Sequence, residues 1–182
     1  MKTKEMYIIT TETSVIFPYF DECGRLLSMI MEGDQLHIIH CKPIEIIDFN
    51  LKLAGSSLKG ASEGAGEILG STSMSPVAIN KTHGIYFTPT MSPKSLDCIW
   101  VALGHVKEYV KTEDNQVKVT LRNGSVAELP LSYNQFDRRV DRVCKLQYLI
   151  ETNTKQVMKV RENYTQSYIL RKKETGLNFE GE

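Results

Sequence analysis

The chain has 182 residues, 41% apolar and 24% charged. That is enough to bury roughly 70% of the unfolded surface in one domain, over 1–182, without disulfides or a structural metal. Its 22 Lys and Arg balance 22 Asp and Glu, so net charge alone predicts neither a nucleic-acid nor a membrane partner. A signal-peptide start and any run of about 18 apolar residues are both missing, which predicts a cytoplasmic protein. Cys23, Cys41, Cys98 and Cys144 lie far apart with no C-x-x-C pair, and read as reduced thiols.

From the N-terminus, Met6 to Thr10, Ser14 to Tyr19, Gln35 to His40 and Ile44 to Asp48 are rich in β-branched residues between turn formers. They predict meandering antiparallel strands. Ala54 to Ser75, with glycine at 55, 60, 64, 66 and 70, reads as a loop or as strands joined by close turns. A second strand group runs over Ile85 to Phe87, Ile99 to Val110, Gln116 to Leu121 and Val126 to Leu129. Between its last two members, Asn123-Gly124 predicts a type I′ turn, because both residues tolerate positive φ. Val117, Val119 and Leu121 alternate with polar residues as one buried strand face would.

After Pro130 the period changes. Ser132-Tyr133-Asn134-Gln135 fits an S-x-x-Q capping box and predicts a helix start. Phe136, Val140, Val143, Cys144 and Ile150 share one arc of that helix, Arg138, Arg142 and Lys145 lie opposite, and Arg139 sits at the edge. A weaker helical pattern runs from Thr154 to Lys173 through Val157, Val160, Tyr164 and Tyr168. It ends in Arg171-Lys172-Lys173, cations that suit a helix C-terminus. Residues 174–182 read as a frayed acidic tail. Residues 138–173 carry ten basic and three acidic groups, a net +7, against −4 for residues 1–137 and −3 for the tail. The predicted fold is α+β: an antiparallel, partly barrel-like sheet region over 1–131, then a basic, mainly helical segment over 132–173.

Little catalytic chemistry is legible. Gly55 to Ser62 superficially resembles a Walker loop, but alanine follows Gly60, so no lysine reaches a phosphate. Gly64-Ala65-Gly66 misses the dinucleotide-binding spacing, since the next glycine is Gly70. His37 and His40 of one predicted strand point to opposite faces, which disfavours a shared metal with Cys41. His83, Cys98 and His105 could meet only through tertiary folding. No nucleophile elbow or cysteine-enzyme signature is present, and Asp21-Glu22 and Glu113-Asp114 fall in predicted turns, where solvated charge is the default. The residues predict no enzyme, no nucleotide site and no metal site.

Taken together, Lys42-Pro43-Ile44, Gly55-Ser56-Ser57, Ile85-Tyr86-Phe87-Thr88-Pro89-Thr90, Trp100, His105-Val106-Lys107-Glu108-Tyr109, Asn123-Gly124 and Leu129-Pro130-Leu131-Ser132-Tyr133-Asn134-Gln135-Phe136 resemble the bacterial competence transcription factor family, ComK. The resemblance covers Cys41 to Arg142 in nearly the same order and spacing. It implies a transcriptional activator of DNA-uptake genes, without cofactor. Such a protein binds double-stranded DNA at paired A-rich and T-rich boxes as a homodimer, with dimers side by side on one promoter, where RNA polymerase is a further expected partner. It also implies control by the MecA adaptor with the ClpC and ClpP protease. A-tracts fit this physically, because their narrow minor groove has an enhanced negative potential that draws in Arg and Lys.

Arg142 is the leading DNA-binding candidate, since it combines the basic helix face with a matched family position. Lys107 and Lys42 follow as members of matched segments, and Arg138, Arg139 and Lys145 on charge alone. Trp100 also matches, but a lone strand tryptophan is more often core than stacking platform. Family members carry adjacent basic residues after Gly-Ser-Ser, where this chain has Lys59 and then Glu63, and the stretch around Gln166 to Leu170 only loosely resembles the adaptor-binding region. Two rivals remain: a protein-interaction regulator of the same fold without DNA binding, and a small-ligand binder suggested by the glycine-rich segment.

Overall fold

The computed structural model describes residues 6–70, 73–161, 170–172 and 179–181. They belong to two compact units, Met1–Tyr148 and Leu149–Glu182. In the first unit, strands β1 (Thr13–Phe20), β2 (Leu26–Glu32), β3 (Gln35–Ile39), β4 (Val77–Asn80), β5 (Ile85–Pro89) and β6 (Trp100–Ala102) form one antiparallel sheet in the order β3-β2-β1-β6-β5-β4. Strands β7 (Val106–Lys111), β8 (Gln116–Leu121) and β9 (Val126–Ser132) form a second, three-stranded antiparallel sheet. Helices α1 (Pro43–Leu53) and α2 (Leu58–Leu69) precede β4, and α3 (Tyr133–Arg161) follows β9. The fold is therefore α+β with antiparallel sheets and a C-terminal helix, and the six-stranded sheet stays open rather than closing into a barrel.

Strand pleating sorts the core into two clusters, because successive side chains point to opposite faces. Ile16, Ile30, Phe87 and Trp100 point to one face, where Ile46, Ile47 and Leu51 of α1 cover them. Val15 and Val101 point to the other, against Val117, Val119, Leu121, Leu129 and Phe136. Trp100 is fully buried in the first cluster, as expected of a lone strand tryptophan.

Several expected elements came out differently. Met6 to Thr10 forms no strand. The Ile9 N–H donates to Asn50 Oδ1 (2.9 Å) rather than to a ladder, and the Tyr7 phenol bonds Thr13 Oγ1 (2.8 Å), with burial pushing its pKa up to about 12. Ile44 to Asp48 is helical, within α1. Pro43 sits at its first turn, Glu45 accepts from the Lys42 N–H (3.1 Å), and Ile46, Ile47, Asn50 and Leu51 form a helical rather than a strand-like buried stripe. The glycine-rich stretch is mostly α2. Ser57 Oγ accepts from Gly60 N (3.1 Å), Asp48 Oδ1 of α1 accepts from Leu58 N (2.8 Å), and Gly70 closes the helix at φ 70°. These caps and the packing of Ala65 and Gly66 outweigh an interior glycine cost of about 1 kcal/mol each.

Ile99 to Val110 is interrupted by a 3-10 turn at Leu103–His105, and its halves join different sheets. At Asn123-Gly124 only Gly124 has positive φ (87°), so the turn is not type I′. Helix α3 runs without a break through Arg161, while Leu170–Lys172, expected to end a helix, is strand β10. It pairs with β11 (Phe179–Gly181), in the segment expected to fray. Residues 162–169 and 173–178 of these expectations, including Gln166 to Ile169 of the adaptor-like stretch, lie outside the described residues.

Candidate nucleic-acid interface

The start of α3 is built as the capping box requires. The Ser132 N–H donates to Gln135 Oε1 (3.1 Å), and the Gln135 N–H donates to Ser132 Oγ (3.3 Å). Tyr109 of β7 ties this first turn to the three-stranded sheet. Its hydroxyl donates to Asp137 (2.6 Å), and its ring lies 5.4 Å from Tyr133 and 5.1 Å, edge-on, from Phe136. The Asp137 carboxylate, with burial, holds the Tyr109 phenol well above its ordinary pKa, so it stays a donor.

The packed stripe of α3 is Phe136, Arg139, Val143 and Leu146. Cys144, expected in that stripe, is exposed, and Arg139, expected at the edge of the basic face, is only 8% exposed. The reason is the spacing: positions 136, 139, 143 and 146 alternate by three and four residues and share one helix face. Arg139 Nη2 donates to the Thr90 carbonyl (2.9 Å) and lies 3.3 Å from Met74 Sδ, while its Nε is buried without a partner. Burial lowers its pKa, yet a guanidinium stays charged in proteins. Arg139 therefore stitches α3 to the end of β5 and to the α2–β4 connection.

Arg138 and Lys145 are exposed and Arg142 is half-buried. The spacing of 138, 142 and 145 puts them on one stripe with ends about 10 Å apart. Neither Arg138 nor Lys145 has an ion-pair partner among the described residues. One Arg142 donor is held by the Ser73 carbonyl (2.8 Å). Lys107 is exposed on β7 where the register slips between Val106 and Glu108, an extra residue that turns its side chain outward. β7 adjoins the first turn of α3 through Tyr109, so Lys107 and the α3 cations belong to neighbouring elements.

Lys42 stands apart. It caps α1, which covers the opposite face of the six-stranded sheet from Phe136. There it lines a cavity of about 250 Å³ together with Lys94, a residue no sequence signal singled out. Lys94 also lines a neighbouring groove of about 810 Å³ with Lys59. Glu63 lies 3.9 Å from Lys59 and offsets its charge.

Other chemistry finds less support. The glycine-rich segment that suggested a ligand site is helix α2, which removes the motive for that rival. His37 faces Glu32 (3.4 Å), and His105 bonds the Thr11 carbonyl (2.8 Å). Among the described residues, no three His, Cys, Asp or Glu side chains group as metal ligands. Among the same residues, no helix is long and apolar enough to cross a membrane.

Comparison with known proteins adds an independent observation. Residues 4–155 match the family model described as ComK protein. Over 142 residues the chain is 32% identical to the competence transcription factor of Bacillus subtilis (strain 168), covering 78% of this chain and 73% of that protein. No solved structure matches.

Proposed function

Because the chain belongs to the ComK family and is a transcription regulator of competence, we propose that it activates DNA-uptake genes by binding paired A-rich and T-rich boxes in duplex DNA. The observation that carries this reading is the stripe of Arg138, Arg142 and Lys145 on the solvent side of α3, above a packed Phe136, Arg139, Val143 and Leu146. A rigid helix presents these cations at fixed spacing, as phosphate contacts and insertion into a narrow A-tract minor groove both require. Arg142 is the leading contact, and its carbonyl anchor at Ser73 pre-orients a side chain that would otherwise lose rotamer entropy on binding. Lys107 extends the surface from β7, while Lys42 contributes from the separate α1 side. Arg139 acts as the positioning residue, holding α3 in place rather than reaching the duplex. In this reading the protein works in the cytoplasm on the chromosome, as a homodimer with RNA polymerase nearby, under control of the MecA adaptor with ClpC and ClpP.

The test is an anisotropy titration of a duplex with two phased A-rich and T-rich boxes against a GC-rich duplex of equal length, at several salt concentrations. The expected result is preference for the A-tract duplex, with log K falling by about 0.9 per phosphate contact per decade of salt. Arg142→Glu should weaken binding by about tenfold or more and flatten that slope. Absence of binding at low salt overturns the reading. It would favour the same fold as a protein-interaction regulator, for which the Lys59–Glu63 pair, where the family pattern has adjacent cations, is the supporting observation.

A further inference from the structure

The six-stranded sheet has two unlike edges. At one, β4 is short, its register is broken between Ala78 and Asn80, and its Val77 and Ile79 are buried under α1 and α2. Those are devices that keep an edge from pairing with another chain. At the other, β3 (Gln-Leu-His-Ile-Ile) has no lysine, carboxylate or proline and no register shift against β2. Among the described residues nothing pairs with its outer side.

That edge is also apolar on one face. Leu36 is 59% and Ile38 43% exposed. Their cross-strand neighbours are Met31 and Met29 of β2, followed by Val15 and Phe17 of β1. The three-stranded sheet and α3 cover Val15 and reach Phe17 and Met31, but leave Leu36 and Ile38 uncovered. An unguarded apolar edge of this kind is a pairing site or an aggregation hazard.

We propose that β3 pairs antiparallel with β3 of a second copy of this chain, about a two-fold axis through His37. The turn decides the register. β2 and β3 are joined by Gly33-Asp34, a two-residue hairpin with positive φ at Gly33 (56°), and it closes on the Glu32–Gln35 pair. Backbone polar groups alternate in direction along a strand, so those of Gln35, His37 and Ile39 face β2 and those of Leu36 and Ile38 face outward. A two-fold axis at His37 then lets Leu36 of each copy exchange both backbone hydrogen bonds with Ile38 of the other. The same register sets Leu36 beside Ile38 of the partner copy on the apolar face, so every exposed apolar group on the strand meets another. A charged partner strand would gain the hydrogen bonds but leave Leu36 and Ile38 unmatched. A second copy matches both, and an interface related by a two-fold axis needs just such self-complementarity. This deepens the homodimer reading above and rests on it for its biological role, since paired DNA boxes call for paired subunits.

The test is the oligomeric state of the full chain without DNA, by sedimentation over a range of concentrations. The expected result is a dimer whose dissociation constant rises at least tenfold in Ile38→Lys, which places a charge on each side of the axis, with thermal unfolding unchanged. Val126→Lys, an exposed position on the outer face of the three-stranded sheet, should leave the dimer intact. In a Cys23→Ser/Cys144→Ser background, His37→Cys should form a disulfide-linked dimer under mild oxidation, because the two copies of this residue face each other across the axis. A monomeric wild-type chain, or a dimer that Ile38→Lys does not weaken and His37→Cys does not link, overturns the proposal. The two readings fail separately. Arg142→Glu should remain a dimer while losing DNA, and Ile38→Lys should still bind a single box with the wild-type salt slope per subunit.

Discussion

The six-stranded sheet is covered on its two faces by layers held in different ways. On one side the three-stranded sheet and α3 pack by plain alternation: Val117, Val119, Leu121, Ala127, Leu129 and Leu131 point inward from two strands, and Phe136 closes the cluster. On the other, α1 and α2 are fastened by side-chain hydrogen bonds from Asn50 and Asp48, two of which reach back to residues 7 and 9. Asn50 binds the Ile9 N–H and donates to the Tyr7 and Ile46 carbonyls, each at 2.9 Å, while Asp48 bridges to Leu58 N. Apart from Arg139 and the Tyr109–Asp137 bond, the first layer depends on apolar area, whereas the second adds a buried polar network around Asn50. Losses should therefore be graded by volume in one and by unsatisfied groups in the other.

The largest effect should come from Phe136→Ala, which empties a fully buried position where α3 meets the three-stranded sheet. A loss of about 3–5 kcal/mol in urea unfolding is expected, with Tyr109 fluorescence shifting as its ring contact disappears. A loss below about 1 kcal/mol would mean that area does not dominate that layer. Next, Asn50→Ala should cost about 2–3 kcal/mol although it removes little volume, because it strands the buried Ile9 N–H and takes the side-chain donor from the Tyr7 carbonyl. A cost near that of a simple apolar truncation would erase the contrast between the layers.

The smallest effect is pH-dependent. The Leu58 N–H and then the Lys52 ammonium, 2.7 Å away, hold the Asp48 carboxyl below its ordinary 3.8. A depressed folded-state pKa stabilises the protein above the unfolded value, and that contribution is lost as pH falls through the folded one. Asp48→Asn should cost about 1 kcal/mol at neutral pH and nothing extra in strong acid. Wild-type and variant unfolding curves should therefore converge below about pH 4. Parallel curves across the whole range would remove Asp48 from the α1–α2 junction.

The same contrast explains what could be read in advance. Alternation at Val117, Val119 and Leu121 and the Ser132–Gln135 box are local, with periods of two and of one helical turn, so both were legible. The α1–α2 layer was not. Pro43 and Glu45 mark a helix start, but the β-branched run Ile44 to Asp48 is too short for periodicity to tell strand from helix. The glycines of α2 are tolerated only because Asp48, Ser57 and Gly70 cap it and the sheet packs against it. Spacing places Arg139 beside Phe136, Val143 and Leu146, but only the Thr90 carbonyl, brought there by the fold, turns that border position into a buried one.

By itself the sequence determined the α+β class, the helix start at Ser132, the charge asymmetry and, through its ordered family segments, membership in a family of competence regulators. Those properties depend on residue identity and on spacing within a few positions. Tertiary structure alone decided that Arg139 is a buried stitch while, among the described residues, Arg138 and Lys145 have no ion-pair partner, that Ile99 to Val110 divides between two sheets, and that no described strand pairs with the outer edge of β3. Each of these is set by which distant surface arrives against a segment. Neither a hydrogen bond from Arg139 to Thr90 nor the missing neighbour of β3 leaves any trace in the local pattern of residues.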